Sequence, residues 1–137
     1  MNKLETIELY KKGKEEWNKW AICQINIKDK NNVEWENNSR AIFTESKSSL
    51  GLNNFEGFIF PGETIFEQGV FERGVNFKCA VFHGCAFFSG CEFKKEANFD
   101  YCVFLSTVWF SHFKKHSPED STKFYSKFHN PFSDKQG

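Results

Sequence analysis

Cys79, His83, Cys85 and Cys91 crowd one short stretch of this chain. Side chains of these types bind zinc or act as thiol nucleophiles. Their spacing, Cys-x5-Cys-x5-Cys, matches no common structural zinc motif. A cysteine nucleophile also needs a base, a third group to orient that base, and a cleft. The other histidines, His112, His116 and His129, are scattered and answer none of these needs. Asn37-Asn38-Ser39 spells a glycosylation acceptor, which means little without a secretion signal. The chain is therefore expected to carry no catalytic residue, no cofactor and no metal.

The charge balance excludes further classes. Eighteen basic residues face 18 acidic ones, so no global field draws the protein to nucleic acid or to an anionic membrane. After residue 113, five lysines and three acids are dispersed and read as a solvated helix face. No apolar run of about 18 residues is present to span a bilayer. Five cysteines, an odd number with no secretory apolar segment, point to a reducing cytoplasm.

What must position any functional residue is a repeat. Phenylalanine recurs at 55, 60, 66, 71, 77, 82, 88, 93, 99, 104 and 110, in alternating steps of five and six. Such an 11-residue period points to a solenoid, in which each repeat buries its apolar side on the next. Two positions before each Phe from Phe66 onward the residue is small: Thr64, Gly69, Val75, Ala80, Ala86, Cys91, Ala97, Cys102 and Val108. Residues two apart share one side of an extended segment, so Phe and small residue both point inward. The position after Phe is mostly polar, as in Glu67, Glu72, Lys78, His83, Ser89, Lys94 and Asp100.

Around this zone the chain reads as one domain with three further parts. Residues 3–25 read as an amphipathic helix, with Ile7, Tyr10, Gly13, Trp17, Trp20 and Ala21 on its apolar face and Gly13 allowing close approach of another backbone. Residues 26–54 read as a polar connector with a short strand near Val33–Trp35 and an apolar patch at Ala41–Phe43. In 114–137, Ser117-Pro118-Glu119-Asp120 opens a helix carrying Phe124 and Phe128 on one face, and Asn130-Pro131 ends it.

The beat resembles the pentapeptide-repeat family, in the variant with Phe centres and alternating five- and six-residue steps. Phe55-Glu56-Gly57-Phe58-Ile59-Phe60-Pro61-Gly62-Glu63-Thr64-Ile65-Phe66 looks like the family's opening repeats, and Gly13 with Trp17-Asn18-Lys19-Trp20 looks like its N-terminal helix. The resemblance covers residues 10–25 and 55–113. It implies an all-β solenoid with flanking helices: a short right-handed quadrilateral β-helix of fewer than three coils, capped at both ends by helices. Stacked residues then differ by 22, placing Phe66 under Phe88 and Phe110, Phe71 under Phe93, Phe77 under Phe99, and Phe82 under Phe104. Ala80, Ala86, Cys91, Ala97 and Cys102 complete the expected core. At about 4.8 Å per coil the stack is only roughly 13 Å tall, and its apolar ends need caps. Trp17 and Trp20 at one end, and Phe124 and Phe128 at the other, are the expected caps.

The same register brings Ile65, Phe87 and Trp109 into one outward column, whereas its neighbours hold no aromatic residue. Either residues 26–54, with Trp35, Ile42 and Phe43, fold over this stripe, or it is a surface for a protein partner, a second copy included. The expectation is a non-enzymatic, cytoplasmic interaction module of bacterial type with no direct nucleic-acid or membrane binding. The alternative is a DNA mimic that inhibits a type II topoisomerase, a role the resemblance brings with it. Seven acids against four bases in residues 55–113 fall short of the one charge per about 1.7 Å of duplex DNA.

Overall fold

A computed structural model describes residues 1–28, 32–45 and 51–110, together with the backbone of 114–115. Three helices, α1 (Lys3–Lys11), α2 (Lys14–Asn26) and α3 (Val33–Ser39), precede most of the strands. The strands are two residues each: β1 (Ala41–Ile42), β2 (Ile59–Phe60), β3 (Thr64–Ile65), β4 (Val70–Phe71), β5 (Val75–Asn76), β6 (Val81–Phe82), β7 (Ala86–Phe87), β8 (Glu92–Phe93), β9 (Ala97–Asn98), β10 (Val103–Phe104), β11 (Val108–Trp109) and β12 (Lys114–Lys115). They form parallel sheets ordered β1-β3-β7-β11, β2-β6-β10, β4-β8-β12 and β5-β9. Each is too short to stand alone and is stabilised by its neighbours in the stack.

The register is 22 residues throughout the Phe zone: Thr64 pairs with Ala86 and Ala86 with Val108, Ile59 with Val81 and Val81 with Val103, Val70 with Glu92, and Val75 with Ala97. The chain is a β-solenoid with three helices among its described residues.

Turn geometry accounts for the uneven beat. In the five-residue steps the residue two after Phe has positive φ, as at Gln68, Cys79, Gly90 and Tyr101. The N–H one further on bonds back to the Phe carbonyl, from Gly69 to Phe66 and from Ala80 to Phe77. That is the positive φ at the third position that a tight type II turn requires. The six-residue steps have one residue more, and in the step after Phe71 the positive φ falls one place later, at Gly74.

Inside, the rings form ladders. Phe43, Phe66, Phe88 and Phe110 stack at 4.9, 5.1 and 5.1 Å. Phe55, Phe77 and Phe99 follow at 5.0 Å each. Phe60, Phe82 and Phe104 stack at 4.4 and 4.8 Å, and Phe71 on Phe93 at 5.3 Å. Rings of adjacent ladders meet edge to face, as Phe66 does with Phe77 at 85°. Each such pair adds about 0.5–1.5 kcal/mol beyond area burial. Ala80, Ala86, Cys91, Ala97 and Cys102 are buried between the ladders. Phe110, on the last rung, is half-buried.

Three expectations are corrected. Residues 3–25 are not one helix: the chain breaks between α1 and α2 at Gly13, whose φ of +102° favours glycine. No heavy atom lies within 4 Å of a Cβ built there, so Gly13 serves the bend and not a close backbone approach. Val33–Trp35 belongs to α3, because Asn32 caps its N-terminus by accepting from the N–H groups of Glu34 and Trp35. The stack starts at Ala41 and not at residue 55, since β1 pairs with β3.

The helices close the first rung with side chains that act as a substitute strand. Asn18 Nδ2 donates to Gly57 O at 3.0 Å and its Oδ1 accepts from Ile59 N at 2.9 Å. Trp17 Nε1 donates to Ile59 O at 2.8 Å. Thr6 Oγ1 accepts from Ile42 N at 3.0 Å, and the Tyr10 hydroxyl serves Gly51 O and Asn54 O. Open sheet edges template unwanted pairing, and these four residues satisfy edge groups of three sheets. Phe124 and Phe128, expected at the other end, lie outside the described residues.

One corner of the stack has no room for a side chain. A Cβ on Gly84 would fall on the backbone carbonyl of Gly62 one rung below. Gly84→Ala is therefore expected to cost at least about 1–3 kcal/mol through overpacking, read as a lower urea midpoint at unchanged slope.

Candidate functional site

Strands β1, β3, β7 and β11 each point their first residue inward and their second outward. Ala41, Thr64, Ala86 and Val108 are buried, while Ile42, Ile65 and Phe87 are half-buried and Trp109 is 49% exposed. Half a Trp surface in water is a large apolar exposure for so small a protein. The rings of Phe87 and Trp109 run parallel at 4° with centroids 6.4 Å apart. They stack one above the other outside, one wall away from the Phe66–Phe88–Phe110 ladder inside.

Among the described residues of 26–54, neither Trp35 nor Phe43 covers this column. Trp35 turns to α2, where its Nε1 donates to Gln24 O at 2.8 Å, and Phe43 enters the core beneath Phe66. Ile42 pairs with Ile65 and so lengthens the column by one rung. The sequence reading missed Ile42 as a member. The signal was present: Ala41-Ile42-Phe43 repeats the small-apolar-Phe order of Ala86-Phe87-Phe88. It was hidden because β1 pairs 23 residues below β3, one more than the 22 of the beat.

The borders of the column are polar. Arg40 Nη2 lies 2.9 Å from Glu63 Oε1 on one side, with Cys85 Sγ 3.3 Å from Ser106 Oγ two rungs higher. Glu67 and Ser89 follow on the other side. A groove of about 310 Å³ runs beside this border, lined by Lys28, Trp35, Glu36, His83, Gly84 and Cys85 among others. Burial, with Lys28 nearby, lowers the basicity of His83 below its ordinary value.

The register of 22 and the small residue two before the inward Phe give the stack its repeat. Residues 80–112 match the family described as Pentapeptide repeats (9 copies). These residues are pentapeptide repeats. No curated protein and no solved structure matches it.

The cysteines part company. Cys91 and Cys102 are buried in the core, and the Cys91 thiol donates to Phe66 O at 2.8 Å. Burial pushes the Cys91 thiol up to about 12 and raises that of Cys102 as well. Cys79 sits exposed on a positive-φ turn, and Cys23 is exposed on α2. Among the described residues no three His, Cys, Asp or Glu side chains are grouped to hold a metal ion. A thiol reagent under native conditions should find Cys23 and Cys79 quickly, Cys85 more slowly, and Cys91 and Cys102 only on unfolding. Mass mapping of the labelled sites checks this order.

Proposed function

We propose that this pentapeptide-repeat protein is a non-enzymatic binding module that engages another protein through the outer face of the β1-β3-β7-β11 sheet. The observation that carries the reading is the column Ile42, Ile65, Phe87 and Trp109, four apolar side chains stacked in register on the outside of the solenoid. Aromatic residues at the centre of a flat patch with a polar border are what protein interfaces use as anchors.

On this reading the four sheets are the sides of a short right-handed quadrilateral β-helix that begins at Ala41. The 22-residue register supports it. The N-terminal helices close one end. The module works in the cytoplasm of a bacterium; no helix among the described residues is long and apolar enough to cross a membrane.

The test is the double variant Phe87→Ser with Trp109→Ser, used as bait beside the parent protein. The column is the interface when the variant folds and loses captured protein or changes oligomeric state. A folded variant with the same oligomeric state and the same captured proteins removes the proposal. A gyrase supercoiling assay addresses the DNA-mimic alternative, for which the expected result is no inhibition at micromolar concentration.

A further inference from the structure

We infer that the occupant of the apolar column is a second copy of this chain, packed side by side and antiparallel about a two-fold axis lying along the strands between the Ile65 and Phe87 rungs. The inference rests on the reading of the column as a protein-binding surface and adds the identity of the partner.

Size decides the direction. Up the stack the column runs Ile42, Ile65, Phe87, Trp109, from aliphatic to progressively larger aromatic. Antiparallel packing sets large against small at every level, Trp109 against Ile42 and Phe87 against Ile65. An isologous contact requires such self-complementarity. Parallel packing would set Trp109 on Trp109 and leave a gap between the isoleucines.

Charge gives the same answer. The borders read Arg40, Glu63, Cys85, Thr107 on one side and Thr44, Glu67, Ser89 on the other. The antiparallel axis faces Glu63 with Cys85, Glu67 with Ser89 and Arg40 with Thr107, with no like charges in contact. The parallel alternative brings Glu63 against Glu67, a repulsion that disfavours it.

The landing site of Trp109 is concave. Beside Ile42 lies a groove of about 310 Å³ lined by Met1, Asn2, Glu5, Asn37, Arg40 and Ile42, with Asn38 completing it. A buried indole needs an acceptor for its N–H, and the Glu5 carboxylate at this groove is one. Glu5 Oε1 already accepts from Asn2 N at 3.0 Å, which holds it in place. The face is small: four rungs at about 4.8 Å by some five residues give roughly 300 Å² per copy. A standard interface buries about 800 Å² per partner, so a concentration-dependent dimer with Kd of tens to hundreds of micromolar is expected.

Sedimentation equilibrium from about 10 to 500 μM brackets that range. The full chain should pass from monomer to dimer. Trp109→Ile should weaken association at least about tenfold, as loss of an aromatic anchor does. Adding Ile42→Trp should restore most of that loss, because large and small have exchanged places across the axis. Should Ile42→Trp not fold, Ile65→Phe with Phe87→Ile makes the same exchange next to the axis. A monomer throughout the range, or an exchange no better than the single variant, overturns the dimer. If the parent is monomeric yet the Phe87→Ser, Trp109→Ser variant loses a captured protein of another kind, the binding surface stands and only the self-pairing falls. If that variant loses nothing, both fall.

Discussion

Phe88→Ala should lower stability by about 3–5 kcal/mol, enough to unfold much of the protein at room temperature. Phe88 is fully buried and lies between Phe66 and Phe110 at 5.1 Å on either side. It also meets Phe77 and Phe99 edge to face, at 89° and 83°. Two-residue strands cannot close round the resulting hole, because each is fixed by pairing above and below. The loss therefore falls near the upper end for a large-to-small change. Phe87→Ala, one residue away but pointing outward, should cost a small part of this. Urea unfolding of the two variants gives the difference directly. Equal midpoints would mean that Phe87 is as buried in solution as Phe88.

Trp17→Ala should be nearly as damaging, by about 3–5 kcal/mol. The indole is fully buried on the first rung, where it meets Phe43, Phe58 and Phe60 at 5.6, 5.6 and 5.8 Å. Truncation removes that cover and also frees the Ile59 carbonyl, at an added cost of about 1–3 kcal/mol where water cannot reach it. Trp17→Phe separates the two effects, since it keeps much of the ring contact and loses the N–H donor. A Phe variant as weak as the Ala variant would place the weight on the hydrogen bond; one close to the parent would place it on packing.

The stack was legible because its period repeats. A Phe with a small residue two before it, recurring in steps of five and six, dictates both the inward set and the partner 22 residues away. Phe43 was not legible, for its rung lies one residue out of step. The helix break at Gly13 was misread because a glycine on an apolar face suggests contact as readily as a turn. Asn32, followed by Glu34 and Glu36, did carry the signal of a helix start in the connector. The edge closure by Thr6, Tyr10, Asn18 and Trp17 joins residues some 36 to 44 apart in sequence, as Thr6 to Ile42 and Tyr10 to Asn54. No local pattern announces a side chain that replaces a strand. Ile65, Phe87 and Trp109 could be aligned from the register alone, whereas Ile42 and the groove beside it depend on how β1 and α1 meet.

Phenylalanine ladders hold the solenoid together, while an apolar column on the other side of one wall is proposed to bind protein. Sedimentation and urea unfolding of the Phe87→Ser, Trp109→Ser variant, on one preparation, address both halves. The prediction is an unfolding midpoint far closer to the parent than that of Phe88→Ala, together with loss of association. A midpoint as low as that of Phe88→Ala, or association equal to the parent's, would contradict it.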